Sequence, residues 1–215
     1  MGKKAFTIAV AAATILWSVG FASLVAPLTA NAAAFGDLIK GETLKTVYYY
    51  GSDGQRYAFP NEKTYFSWYS DFDDVVKLSD AAISDIPLAM DNVAYRPGSR
   101  WVKITTDAKV YAVSSSGTIR WVESPAVAEG LGGSSWATFV DDVPDVYFSD
   151  YTVGDSLSSA SAGYEGMLLS SGTSTYLVWG GKKRLVSSAG MSANRFQSRF
   201  VLSGTGVNLT SMTAG

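Results

Sequence analysis

Three stretches of this chain share one pattern, and that recurrence limits the fold more than any other feature. Val47 to Phe59 reads VYYYGSDGQRYAF, Val110 to Val122 reads VYAVSSSGTIRWV, and Thr175 to Val186 reads TYLVWGGKKRLV. Each is a run of β-prone residues, a polar turn containing glycine, an arginine (Arg56, Arg120 or Arg184) and a second apolar run. The pattern predicts β-hairpins, with Gly54, Gly117 and Gly181 supplying the positive φ that a tight turn needs. A helix start follows each hairpin: Asn61 before Glu62 to Ser70, Ser124-Pro125 before a helix to about Leu131, and Ser187 or Ser188 before a third. Short side-chain oxygens there satisfy the free N–H groups of a first turn, and proline fits just inside it. Ser79 caps a further helix from Asp80 to Asp85, which Pro87 stops.

Extended returns are expected at Val93 to Tyr95 and at Trp101 to Ile104. Ile86-Pro87 reads as the counterpart of Val143-Pro144, and Tyr95-Arg96-Pro97-Gly98 as that of Tyr151-Thr152-Val153-Gly154. The fold class is therefore α+β and β-dominated. It is built from three tandem repeats of roughly 60 residues, each a hairpin, a short helix and a returning strand. The units run over about 36–97, 98–153 and 154–203, with Ser158 to Gly166 as an inserted loop. Residues 204–215 carry few packing side chains and are expected to form a flexible tail.

Ahead of these units, Lys3-Lys4 and an uncharged run from Ala5 to Leu28 give the basic and apolar regions of an export signal. Pro27 breaks the apolar helix, and Ala30-Asn31-Ala32 offers a signal-peptidase site, so residues 1–32 read as a signal peptide with a mature start at Ala33. An uncleaved membrane anchor is the alternative, and it would be the chain's only contact with a membrane. A prepilin reading, with Phe6 after Lys3-Lys4-Ala5, lacks the usual glutamate, since Val10 stands there. The expected localisation is secreted or cell-surface.

Composition narrows the function. The chain has neither cysteine nor histidine. This excludes Ser-His-Asp, Cys-His and HExxH chemistry and leaves no disulfide to staple the fold. With a formal net charge of −2, the chain lacks the basic footprint that nucleic acid demands. No catalytic residue and no cofactor is expected. Asp71, Asp73 and Asp74 form one acidic cluster and Asp141, Asp142 and Asp145 another; each reads as a solvated loop, with calcium as the alternative occupant.

Gly36-Asp37-Leu38-Ile39-Lys40-Gly41, Val47 to Trp68, Val102 to Asp107 and Val143-Pro144-Asp145 together carry a family likeness. This part of the chain resembles secreted, surface-layer-like or hypothetical proteins of small-genome candidate-phylum bacteria. The resemblance implies an exported cell-surface role and transfers no catalytic residue. A chain without disulfides, with an apolar and aromatic excess against only 17% charged residues, is expected to be a structural protein that builds a surface coat or filament by self-association, as a homo-oligomer.

The alternative is an envelope glycan-binding module that takes cell-wall polysaccharide. Tyrosine, tryptophan and phenylalanine crowd the stretch from Tyr48 to Tyr69, and aromatic faces stack on sugar rings. Tyr49, Tyr57, Trp68, Trp121 and Trp179 are the candidate ligand-contact residues. The same pattern also fits packing, because Tyr65, Trp68 and Tyr69 have the i, i+3, i+4 spacing of a buried helix stripe. Lys182-Lys183-Arg184 with Arg195 and Arg199 makes the last unit basic, suited to a solvated turn or to an acidic envelope polymer.

Overall fold

The structure, a computed structural model, describes residues 33–215, so the expected signal segment and its cleavage site lie outside the described residues. No helix among the described residues is long and apolar enough to cross a membrane.

The first part of the chain runs β1 (Leu38–Gly41), β2 (Val47–Tyr50), β3 (Arg56–Ala58), α1 (Glu62–Trp68), β4 (Val75–Leu78) and α2 (Asp80–Asp85). Its sheet has the order β3-β2-β1-β4, with β1 antiparallel to β2 and parallel to β4. A second run follows: β5 (Trp101–Ile104), β6 (Tyr111–Val113), β7 (Thr118–Trp121), α3 (Pro125–Gly132), β8 (Val140–Val143), α4 (Asp145–Phe148) and β9 (Thr152–Val153). That sheet has the order β8-β5-β6-β7-β9, with β5 again antiparallel to the next strand and parallel to the strand after the helix. The third run is β10 (Leu168–Ser171), β11 (Ser174–Trp179), β12 (Lys182–Val186) and α5 (Ser188–Ala193), in the order β10-β11-β12. After α5, a single parallel bridge from Leu202 to Leu169 stands where the other two sheets have a fourth strand. The architecture is mixed α+β, with β-sheet dominant.

Registers correspond across the three sheets. Leu38, Tyr49 and Tyr57 lie in one row of the first, Val102, Tyr111 and Trp121 in one row of the second, and Leu169, Tyr176 and Leu185 in one row of the third. In every case the arginine of the motif immediately precedes the last residue of the row. Chain leaving each sheet comes back beside its hairpin, at the parallel bridges Arg56 to Leu88, Val122 to Leu157 and Lys183 to Ala214.

The turns and caps form where the local sequence demands them. Gly54 and Gly181 have φ of 81° and 67°, a region where a Cβ would collide with the backbone. Asn61 accepts a hydrogen bond from the Thr64 N–H at 2.9 Å, and Ser79, Ser124 and Ser187 cap α2, α3 and α5 in the same way. The returning strands fall elsewhere than expected. In the first sheet the return is β4, directly after the acidic Asp71 to Asp74 stretch, whereas Val93 to Tyr95 is not a strand. Tyr95 is instead buried at the seam between the first two sheets, where its N–H donates to the Tyr151 hydroxyl at 3.0 Å. Trp101 to Ile104 opens the second sheet rather than closing the first. The two proline pairs also differ in place: Val143-Pro144 precedes α4, while Ile86-Pro87 follows α2.

Alternating strand residues enter different cores. Leu38 packs with Phe59 and Tyr65 on the α1 side, and Ile39 with Leu78 and Ile83 on the α2 side. In the second sheet Trp101 joins Ala128 and Leu131 of α3, and Val102 joins Val143 beside Tyr147 and Phe148. The Trp101 cluster continues through Tyr164, Met167, Val178 and Leu202, so the second and third sheets share one core. Residues 204–215, expected as a flexible tail, lie against the fold. Gly206 N–H bonds to Gly130 O at 2.8 Å, Val207 is buried, and a Cβ on Gly204 would stand 2.2 Å from Leu131 O.

Candidate functional site

Two of the candidate aromatics, Trp68 and Trp179, meet across the molecule. Trp68 ends α1, and its Nε1 donates to Ala94 O at 2.8 Å, which pins the indole beside the segment leaving the first sheet. Arg96 on that segment lies 5.5 Å from the Trp68 ring and 4.7 Å from the Phe196 ring, a cation between two aromatic faces. Its guanidinium donates to Arg195 O at 2.7 Å and Asn194 O at 2.6 Å. Arg195 has a φ of 51°, unusual for a residue with a side chain. Burial lowers the pKa of Arg96 from its ordinary value, and the Arg195 cation adds to that.

Trp179 comes from the third sheet. Gly180 and Gly181, at φ of 64° and 67°, turn β11 into β12, and the Glu165 carboxylate accepts from both of their N–H groups at 2.7 and 2.9 Å. The hairpin that carries Trp179 is therefore held from below by a charge-assisted pair of bonds. Leu177 lies two residues before Trp179 on the same strand face, and Arg184 stands directly opposite Leu177. Trp179 is 45% exposed. Between these two walls lies a cleft of about 460 Å³, floored by Pro97 and Gly166 and edged by Asn194 and Phe196. That volume lies within the range of about 300–1,000 Å³ usual for small-molecule clefts.

The other three candidates lie elsewhere. Tyr49 and Tyr57 are cross-strand neighbours on β2 and β3. The Tyr57 hydroxyl donates to Asp53 at 2.6 Å; this bond is the main reason the Asp53 pKa is lowered and the Tyr57 pKa raised. Trp121 lines a smaller notch of about 300 Å³ with Pro125 and Trp136, and Lys109 sits 5.1 Å from its ring. A matching notch of about 310 Å³ occurs on the first sheet, between Val47, Glu62 and Phe72. Arg96 and Phe196 were not among the sequence candidates. Nothing local marks them, because both acquire their place from the packing of residues 194–197 against α1.

The acidic clusters have protein partners. Asp141 is buried and accepts from Arg100 Nε and Nη2, both at 2.9 Å, and from Lys63 Nζ at 3.0 Å. Burial on its own would raise its pKa, but these cations overcome the effect and hold it below the usual carboxylate range. Asp142 pairs with Lys103, and Asp74 with Arg195. Among the described residues, no group of three or more Asp or Glu side chains is placed to hold a metal ion.

No protein-family model matches the chain. No curated protein matches it. Among solved structures, it is similar to a chain in the periplasmic assembly from the ESX-5 inner membrane complex, at 13% identity and a TM-score of 0.22, over 91% of this chain and 62% of that one. A chain of the intact ESX-5 inner membrane complex matches at 13% identity and a TM-score of 0.25, over 97% of this chain and 56% of that one. The chain thus spans only 56–62% of the length of these neighbours, and superpositions this loose carry no argument about its fold or function.

Proposed function

We propose that this chain is an exported, non-catalytic binding module whose cleft between Trp68 and Trp179 takes an envelope glycan. The observation that carries the reading is that two indoles, Trp68 from α1 and Trp179 from β11, line one cleft. Indole faces match the apolar faces of sugar rings, and the polar groups at the rim, Asn194 and the two arginines, suit the hydroxyls between them. Export is supported by the basic, apolar and small-residue pattern of residues 1–32. Absence of a catalytic role is supported by a chain without histidine or cysteine and by a cleft with no carboxylate in its lining. The common strand order and the matched rows of the three sheets support their origin as copies of one unit, the third having kept only a bridge as its fourth strand. Retention of the protein on purified cell wall, lost in Trp179→Ala with the monomer still folded, is the expected result. Undiminished retention by Trp68→Ala and Trp179→Ala refutes the cleft as the site.

Self-association into a surface coat is a second reading, favoured by large apolar side chains left in solvent. Met90, Val146, Leu185 and Val153 are 100%, 72%, 68% and 59% exposed. Light scattering over a concentration series tests it, and a strictly monomeric protein at every concentration rules it out.

A further inference from the structure

We infer that the cleft selects an acidic saccharide, one whose ring lies against Trp68 or Trp179 while its carboxylate is held by Arg184 and faces the Arg96 cation. The inference rests on the glycan reading above and adds the charge of the ligand. Among the described residues, neither arginine of the cleft has an anionic partner. The ion pairs among the described residues are Lys63–Asp141, Arg100–Asp141, Lys103–Asp142 and Arg195–Asp74, and neither Arg96 nor Arg184 belongs to one. Arg96 is half-buried between two aromatic rings with only backbone carbonyls as partners, and a cation removed from water without a counter-ion attracts an anion strongly. Acidic groups nearby are already committed. Glu165 uses both oxygens on the Gly180 and Gly181 N–H groups, and Asp74 pairs with Arg195. On a chain of formal net charge −2, the lining of the cleft holds two arginines and no carboxylate.

The matched rows of the three sheets make Arg184 stand out. Arg56, its counterpart in the first sheet, donates to the carbonyls of Ile83 and Ile86, and Arg120, its counterpart in the second, donates to Asp155 O at 2.8 Å. Each of those guanidiniums fastens the chain that leaves its own sheet. Among the described residues Arg184 makes no such bond: its Cγ, Nε and Cζ lie beside Gly215, and the side chain lines the cleft. A guanidinium matches a carboxylate with two parallel charge-assisted hydrogen bonds, a geometry that a neutral sugar cannot return.

The test titrates the exported protein with oligogalacturonate and, in parallel, with a neutral glucose oligomer of the same length, following indole fluorescence. The expected result is binding of the uronate at least about tenfold tighter than the neutral oligomer, as one charge-assisted bond supplies. The preference should shrink with added salt. Arg184→Gln should weaken uronate binding far more than binding of the neutral oligomer, and so remove that preference. Arg184→Lys should restore only part of it, and both variants should keep the wild-type unfolding midpoint because Arg184 is exposed. Equal affinity for the two oligomers overturns the acidic assignment and leaves the glycan reading standing. Binding of neither overturns both. A poly(glycerol phosphate) chain that binds as tightly as the uronate overturns the carboxylate as the recognised group.

Discussion

Asp141 offers the sharpest test of how the sheets are joined. It lies on β8 at 5% exposure, yet one of its cationic partners, Lys63, belongs to α1 of the first sheet. Replacement by asparagine keeps the volume and removes the charge, leaving Arg100, whose side chain is 24% exposed, and Lys63, at 64%, without an anion. Breaking a fully buried pair costs about 3–5 kcal/mol. Lys63 can swing into water and Arg100 is partly solvated, so Asp141→Asn should cost about 2–3 kcal/mol at neutral pH. In a chain of this size that is a fall of roughly 5–10 °C in Tm.

The pH dependence has a definite sign. The folded-state pKa of Asp141 is lowered, so its contribution is fully present above the unfolded-state value of 3.8 and is lost as pH falls through the folded value. The gap between wild type and Asp141→Asn should thus be constant from pH 5 to pH 8 and close below about pH 4. Urea unfolding followed by tryptophan fluorescence at pH 7, pH 5 and pH 3 reads both effects. A variant within about 0.5 kcal/mol of wild type at pH 7 refutes the ion-pair reasoning, as does a gap that widens on acidification.

Two further substitutions probe the packing. Gly98 has φ of 74°, and a Cβ there would stand 1.8 Å from Gly166 O, so Gly98→Ala should cost about 3 kcal/mol or more by thermal denaturation. Gly54, at φ of 81° with no atom near its Cβ position, should lose only about 1 kcal/mol on the same change; equal costs at the two sites would contradict the close approach. Tyr164→Phe deletes the hydroxyl that accepts from Trp101 Nε1 at 2.9 Å in the shared core. A loss of about 1–3 kcal/mol should appear as a lower urea midpoint at unchanged m-value, and a neutral result would mean that the indole N–H finds another partner.

Local features were legible in the sequence to the extent that neighbouring residues decide them. The three hairpins form where glycine permits left-handed backbone, and Asn61, Ser79, Ser124 and Ser187 cap the helices that they were expected to start. β1, β4 and β8 have no counterpart among the expected strands. Their pairing is parallel and joins Leu38 to Val75 and Trp101 to Val140, partners separated by a hairpin and a helix. No short-range pattern announces such a pair, and the acidic stretch ahead of Val75 masks it further. Among the five candidate aromatics, the row positions of Tyr49, Tyr57 and Trp121 on their sheets carry them away from the cleft that Trp68 and Trp179 share.

The sequence by itself determined the turns, the caps and the exclusion of histidine and cysteine chemistry. These depend on backbone freedom and side-chain type, which each residue carries wherever it lies in the chain. Tertiary structure alone decided that α1 and the β11–β12 hairpin line one cleft, that Arg96 is held between Trp68 and Phe196, and that Arg184 reaches the same cleft. The reason is physical: a charge becomes conspicuous only when its partners are counted, and partners come from segments that the chain brings together by burying Trp101, Tyr164 and Leu202 in one core.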